Sequence, residues 1–432
     1  MAQLNQGGLP GRGDNPLRWY LEAREFAGRR PAAGGEGEYD ALAACRELSE
    51  ALDRSLIRIF EAAAPADVAV IAVGGYGRRE QSRHSDIDLM LLVRGSRATA
   101  EATELLYPLW DSDLKVGHSV RTVEQAIEAA ENVETLTALI DARLVAGYED
   151  MFERFSGRLA GLVKRRRLWL LRELRVRREA LVASEPWQLQ EPDVKNGRGG
   201  LRSIQAVHWL DRAETLTSDQ EQMPDDPAVD EAKETLFATR NALHAVGDRL
   251  NDRYLRDLAP RVTDWLGESR LDWERKLFGA MRFLDALESS RLRRAESDDR
   301  VSGLGRFFGP FGRRWKSRVR QRSREDNSPD LDRLLALLEQ AGPEPLEPLP
   351  TSDWLSRLLP EWESLRCLPH SASFHRHPVD VHAWRTVEEA LFAMSQDVDD
   401  TGSVAAADEF GSRRTILLAA LLHDIEIGRA HV

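Results

Sequence analysis

The chain has 432 residues and a net charge of −12, from 60 basic and 72 acidic side chains. That length suggests two to four domains, and the acidic balance argues against a protein that wraps nucleic acid. Cys45 and Cys367 are the only cysteines, which excludes a disulfide framework and a cysteine-ligated zinc site and fits a reducing cytoplasm.

Residues 1–36 are rich in glycine, proline and polar side chains and lack the apolar core of a signal peptide, so a flexible N-terminal segment is expected. No apolar run is long enough to span a membrane. Asp40–Ala64 carries Leu42, Leu48, Leu52, Leu56 and Ile59 at helical spacing. Val68–Val73 and Leu89–Val93 are short apolar runs that read as buried strands. The first ends in Gly74-Gly75, and ten residues separate that pair from Asp86, with Asp88 two further on. Ala98–Trp110 reads as a helix and Leu114–Thr122 as a third strand, followed by a capping box at Thr122 and Gln125. Mixed elements to about residue 147 suggest a small α/β domain.

Glu149 to about Ser184 reads as one long helix crowded with basic residues, most simply a solvated face, with a basic wall facing triphosphate or an acidic protein partner as the alternative. The segment EPDVKNGRGGLRSIQAVHWL (Glu191–Leu210) sets a glycine-rich turn before an apolar-periodic helix. Structural punctuation is the default reading and an anion site at the helix start is the alternative. Residues 229–295 continue as helices, in which His244 reads as packed or hydrogen-bonded. The interval 296–350 turns basic and then proline- and acid-rich, as in a linker, with a short helix near Leu331–Leu338. From Thr351 the pattern is helical again and contains HRHPVDVHAW (His375–Trp384) and ILLAALLHDIEIG (Ile416–Gly428).

Two of these features carry chemistry. Side chains alternate along a strand, so Asp86 and Asp88 share a face and repel each other unless a cation sits between them. Hard oxygen ligands of this kind suit Mg²⁺ shared with substrate phosphates, and the glycine pair lets backbone approach an anion. The strand, Gly-Gly, Asp-x-Asp, strand order therefore reads as a metal–nucleoside triphosphate site. In the second feature, His423-Asp424 closes an apolar helix, and an imidazole beside a carboxylate can bind one metal or bridge two.

GGYGR…HSDIDL resembles the polymerase-β-type nucleotidyltransferase superfamily, and more closely the PII uridylyltransferase/uridylyl-removing enzymes. The GRGGLR segment (Gly197–Arg202) resembles the part of those enzymes that follows the catalytic domain; Ser203 stands where an acidic residue is expected. His382 with His423-Asp424 resembles the HD phosphohydrolase pattern, although His377, Pro378 and Val381 depart from it. The resemblance implies an α/β nucleotidyltransferase domain (37–148), an all-α helical domain (149–295), a linker (296–350) and an incomplete all-α HD domain (351–432). It implies that Asp86 and Asp88 bind Mg²⁺ and are catalytic, and that Gly74, Gly75 and Ser85 contact phosphate. Arg78 would pair with the triphosphate or be a solvated charge. A third carboxylate is usual in the superfamily; Asp111 and Asp113 lie nearby, but neither sits in an obvious strand. His382, His423 and Asp424 would hold a divalent metal.

The implied reaction moves UMP from UTP to a tyrosine of the PII signalling protein, in a cytoplasmic enzyme that binds neither nucleic acid nor membrane. In the resembled enzymes the HD domain removes that UMP, which is not expected of this chain because its HD core is incomplete, and further C-terminal domains of a full-length enzyme would sense glutamine as effector. The alternatives are an adenylyltransferase acting on PII or on glutamine synthetase, and a non-catalytic nucleotide-binding scaffold. Glu426–Val432 can be back-translated as GAG ATC GGA AGA GCA CAC GTC, a common sequencing-adapter sequence. The natural polypeptide is therefore expected to continue, and His431 is no ligand candidate.

Overall fold

The computed structural model describes residues 15–30, 39–112, 114–215, 226–301, 353–371, 374–395 and 413–431, together with 331, 334 and 336. Most of the expected linker, the PEPLEPLP run and Asp113 lie outside the described residues.

Helices α1 (Arg18–Phe26) and α2 (Ala41–Ala63) precede the sheet. The side chain of Asp40 caps α2 by accepting from the amide of Ala43, one of the donors a helix start leaves without an intrahelical partner. Helix α1 corrects the expectation of a flexible segment over 1–36: Leu17 and Tyr20 are buried beside α2. Strand β1 (Val68–Ala72) leads into the one-turn helix α3 (Gly74–Gly77) and then β2 (Ile87–Val93). The expected Ala98–Trp110 helix is two pieces, α4 (Ser96–Glu104) and α5 (Tyr107–Trp110), with Pro108 in the first turn of the second. Proline is tolerated there but breaks a helix interior. Strand β3 (Val116–Arg121) follows, then α6 (Val123–Ala129), whose Thr122/Gln125 capping box forms as expected. Helix α7 (Val133–Ile140) and strand β4 (Arg143–Gly147) complete the unit.

The sheet is mixed, in the order β3-β2-β1-β4, with β1 antiparallel to β2 and β4 and with β2 parallel to β3. The two apolar strands sit at its centre and are covered on both faces, which is why they read as near-continuous apolar runs. Val68, Val70, Leu89, Leu91 and Val93 face a core with α1, α2 and α4. Ala69, Ile71, Met90 and Leu92 face a second core with α6, α7 and α8. Asp88 belongs to the second face by alternation, so the strand period directs its carboxylate toward the helices that follow the sheet.

Helix α8 (Glu149–Ser184) is followed by α9 (Leu201–Thr215), α10 (Pro227–Gly247), α11 (Ala259–Leu266) and α12 (Arg270–Val301). Helices α10 to α12 share a core that also takes in Ala41 and Cys45 of α2. Helices α13 (Asp353–Leu358), α14 (Trp362–Leu365), α15 (Val379–Ser395) and α16 (Arg413–Leu422), with a 3-10 segment at Ile425–His431, form a separate core around Trp362 and Trp384. A buried ion pair, Arg282 to Asp380 at 2.9 Å, links α12 to α15. Among the described residues no helix is long and apolar enough to cross a membrane. The molecule is thus mostly helical with one small mixed sheet, the coarse form of the expected fold.

Candidate functional site

Asp86 precedes β2 and Asp88 lies within it, and both line a cleft of about 540 Å³ between the sheet and the helices α7 to α10. Gly74 and Gly75 form one part of its wall. Gly74 adopts φ +55°, and a Cβ there would stand 3.7 Å from Asp88 Oδ2, so the turn keeps its backbone against that carboxylate. Burial and the neighbouring charge of Asp86 hold the Asp88 carboxyl above its ordinary pKa. The pair thus sits in the environment that a bound cation relieves, which fits the chemistry of a divalent metal. The cation already present is Lys115, whose Nζ lies 2.9 Å from Asp86 Oδ1 and 3.0 Å from Oδ2. Among the described residues, no acidic or histidine side chain joins Asp86 and Asp88 to make a three-ligand group.

The loop between Gly77 and Asp86 is tied to the helices. His84 donates its amide to Nδ1 of His244, whose Nε2 lies 3.3 Å from Asp252 Oδ1. His244 must therefore accept at Nδ1 and donate at Nε2, as a neutral ring. Burial lowers its pKa to about 4. The packed or hydrogen-bonded histidine expected from the sequence is what this position holds. Arg240 donates to Asp252 at 2.7 Å and to the hydroxyls of Ser82 and Ser85 at 3.1 and 3.2 Å, so Ser85 is positioned from α10.

Arg78 lines the cleft, but its guanidinium is engaged by Glu80 at 2.7 Å and by buried Asp141, which also accepts from Trp209 at 3.0 Å. It is neither a solvated charge nor a free hand for phosphate: its two acid partners tie the sheet to α9. The cationic wall comes from residues the sequence reading did not single out. Lys195 lies 3.8 Å from Asp252, and Arg202 donates to the neutral amide of Gln205 at 3.1 Å. Burial and the charge of Arg240 disfavour the charged form of Lys195; burial, Arg78 and Arg177 do so for Arg202. Clustered cations that disfavour one another's charge suit an anion. Arg177 and Arg178 of α8 also line the cleft, so this end of the basic helix is not simply a solvated face. Both are nonetheless engaged by acids, Arg177 by Glu134 and Arg178 by Asp285 and Glu288 at 2.9 and 2.7 Å.

The glycine-rich turn is punctuation. Gly199 has φ +72°, and any Cβ would fall 1.8 Å from the carbonyl oxygen of Met281. The amides of Leu201, Arg202 and Ser203 donate to the carbonyls of Val194, Lys195 and Gly200, each at 2.9 Å. The start of α9 therefore has no such amide to offer an anion; what the turn contributes is the placement of Lys195 and Arg202. Ser203, found where an acid was expected, is buried and hydrogen-bonds Glu288.

A second cluster lies in the C-terminal helices. The nearest ligand atoms of His382, His423 and Asp424 all lie within 4.8 Å of one another. His423 Nδ1 lies 2.8 Å from the Ala420 carbonyl, which fixes its proton there and leaves Nε2 with a lone pair directed at His382 Nε2, 3.3 Å away. Burial and the neighbours His375 and His423 lower the His382 pKa to about 4. A neutral ring is the ligating form. The sequence reading missed His370, whose Nε2 lies 3.7 Å from Asp424 Oδ2, and His375, stacked on His370 with centroids 3.6 Å apart. The histidine-rich run His370–His382 was the available signal.

Comparison with known proteins matches residues 171–291 to the GlnD PII-uridylyltransferase family and residues 32–109 to the DUF294 nucleotidyltransferase family. The bifunctional uridylyltransferase/uridylyl-removing enzyme of Burkholderia thailandensis is 35 % identical over 234 residues, 51 % of this chain. That of Aromatoleum aromaticum is 36 % identical over 230 residues, 50 % of this chain, and that of Burkholderia orbicola 33 % over 234 residues, or 51 %. The aligned part spans 27 % of the length of each relative. The segment matched to the GlnD PII-uridylyltransferase family holds Lys195, Arg202 and Arg240 on one side of the cleft, and the segment matched to the DUF294 nucleotidyltransferases holds Gly74, Gly75, Asp86 and Asp88 on the other.

Proposed function

We propose that this chain carries the nucleotidyltransferase centre of a PII uridylyltransferase, transferring UMP from UTP to a tyrosine hydroxyl of the PII protein. The observation that carries the reading is a pair of acids at the start of a strand, faced across one cleft by Lys195 and Arg202. Asp86 and Asp88 would hold Mg²⁺, which when bound neutralises triphosphate charge and acidifies an attacking hydroxyl. Gly74, Gly75 and Ser85 would approach the phosphates, and Lys195 and Arg202 would take the charge of the departing pyrophosphate. Arg78 would support the site through Asp141 rather than touch nucleotide.

In this reading residues 37–148 are the transferase domain, 149–295 the helical domain that closes over it, 296–350 a linker and 351–432 part of an HD phosphohydrolase domain. His382, His423 and Asp424 would bind a divalent metal for UMP removal, with His370 beside them. The setting would be cytoplasmic, and glutamine would act as effector of the full-length enzyme. Incubation with Mg²⁺, PII and labelled UTP or ATP tests the assignment: label from UTP on PII is expected. Label from ATP alone would favour the adenylyltransferase, and no label from either would overturn the target. Asp86→Asn and Asp88→Asn are expected to abolish transfer; intact function in both would favour a scaffold.

A further inference from the structure

A second cavity, of about 230 Å³, shares Ser85, Asp86 and Leu250 with the cleft. Asp88 lines only the larger space, whereas Asp86 lines both and forms the wall between them. The smaller cavity has an apolar side built from Tyr20, Ile87 and Leu114, with Arg24 and Lys115 among its polar lining. The Lys115 ammonium lines the smaller cavity only and lies 2.9 Å from Asp86, which lines both.

Resting on the functional reading above, the geometry points to this smaller cavity as the entry for the acceptor, a phenolic side chain presented by a protein. In-line displacement at phosphorus requires the nucleophile and the leaving group on opposite sides. The cationic wall of Lys195 and Arg202 draws the triphosphate into the large cleft, so the free approach to the same phosphorus lies across Asp86. An apolar wall ending in a fixed ammonium fits a ring with a hydroxyl at its tip. A phenol ionises near pH 10, within reach of a neighbouring cation, whereas an alkyl alcohol is too weak an acid to gain comparably. In the step, the phenolic oxygen bonds to the α-phosphorus and the bond from that phosphorus to the bridging oxygen breaks. Pyrophosphate leaves with the electron pair, and the phenolic proton passes to water.

The test uses Lys115→Cys, modified with a bulky maleimide. Lys115 is exposed, while Cys45 and Cys367 are buried, so the new thiol reacts selectively. Against the unmodified Lys115→Cys chain as reference, labelling should raise the acceptor KM at least about tenfold and leave the UTP dissociation constant within about twofold. Leu114→Trp, which fills the cavity from its apolar side, should do the same. An unchanged acceptor KM in both, with normal UTP binding, overturns the cavity assignment alone. A UTP dissociation constant that rises in step with KM also overturns it. Failure of the original chain to bind UTP overturns the functional reading and this assignment together.

Discussion

One residue separates Asp86 from Asp88, yet their surroundings differ. Asp86 is partly exposed and paired with Lys115; Asp88 is largely buried, with Gly74 and Gly117 beside its oxygens. Removing the Asp88 charge relieves burial and repulsion, so Asp88→Asn should leave the melting temperature unchanged or slightly raised while transfer falls by a factor on the order of a hundred or more. Differential scanning fluorimetry beside a labelling assay separates the two effects. His244 gives a second expectation at this scale. Its folded pKa of about 4 lies below the ordinary 6.5, so the unfolded chain binds more protons between those values. Stability should therefore be full above about pH 6.5 and fall as pH drops toward 4, by an amount on the order of 3 kcal/mol. Denaturant titrations across that range check it, and His244→Gln should flatten the slope. The paired acids and the His-Asp step were legible because each is a local spacing. Lys115, Arg202 and His370 were not, because each acquires its meaning from a residue far away in the chain. Arg78 was open for the same reason: Asp141, one of the acids that engage it, lies on the far side of two strands and four helices.

Among the elements, central strands and capped helices were readable because their signals are periodic or positional. The bounds of α8 fell where the pattern placed them. Strand β4 was not anticipated: RLVAG is brief, partly exposed and carries a charged first residue. Helix α1 was overlooked because the glycine-rich composition around it outweighed its apolar positions, Leu17 and Tyr20. The GRGGLR turn illustrates how a motif suggestive of ligand binding can act through geometry. Gly199→Ala would require an unfavourable backbone and a clash with the Met281 carbonyl, so a loss of about 2–4 kcal/mol is expected. The same substitution should weaken UTP binding, since the turn carries Lys195 and Arg202. A chain that keeps its stability but loses UTP affinity would instead assign the glycine a direct contact.

At the scale of the molecule, the alternation of apolar runs and helical stretches conveyed a small α/β unit followed by helices. How the helices return to roof the sheet was not in that pattern, because it depends on buried charge networks formed between distant segments. Arg282 and Asp380 are one such link, both nearly inaccessible to water. Breaking a buried pair on one side leaves a charge without compensation, so Asp380→Ala is expected to cost about 3–5 kcal/mol and to release the C-terminal helices to proteolysis. Limited digestion followed by mass spectrometry measures this, and unchanged protection would show that apolar packing alone holds them.

Helix α12 gives that link a wider meaning. Arg282, Asp285 and Glu288 recur every three residues and so fall along one side of the helix. The first grips the segment that bears His382; the other two grip Arg178, a lining residue of the cleft that holds Asp86 and Asp88. The helix is in effect a common axle for the cleft and the histidine cluster. If the proposed function holds, whatever turns or slides the helix at one end acts at the other, and by linkage a metal bound at the histidines would alter the affinity for UTP by the same factor that UTP alters the affinity for metal.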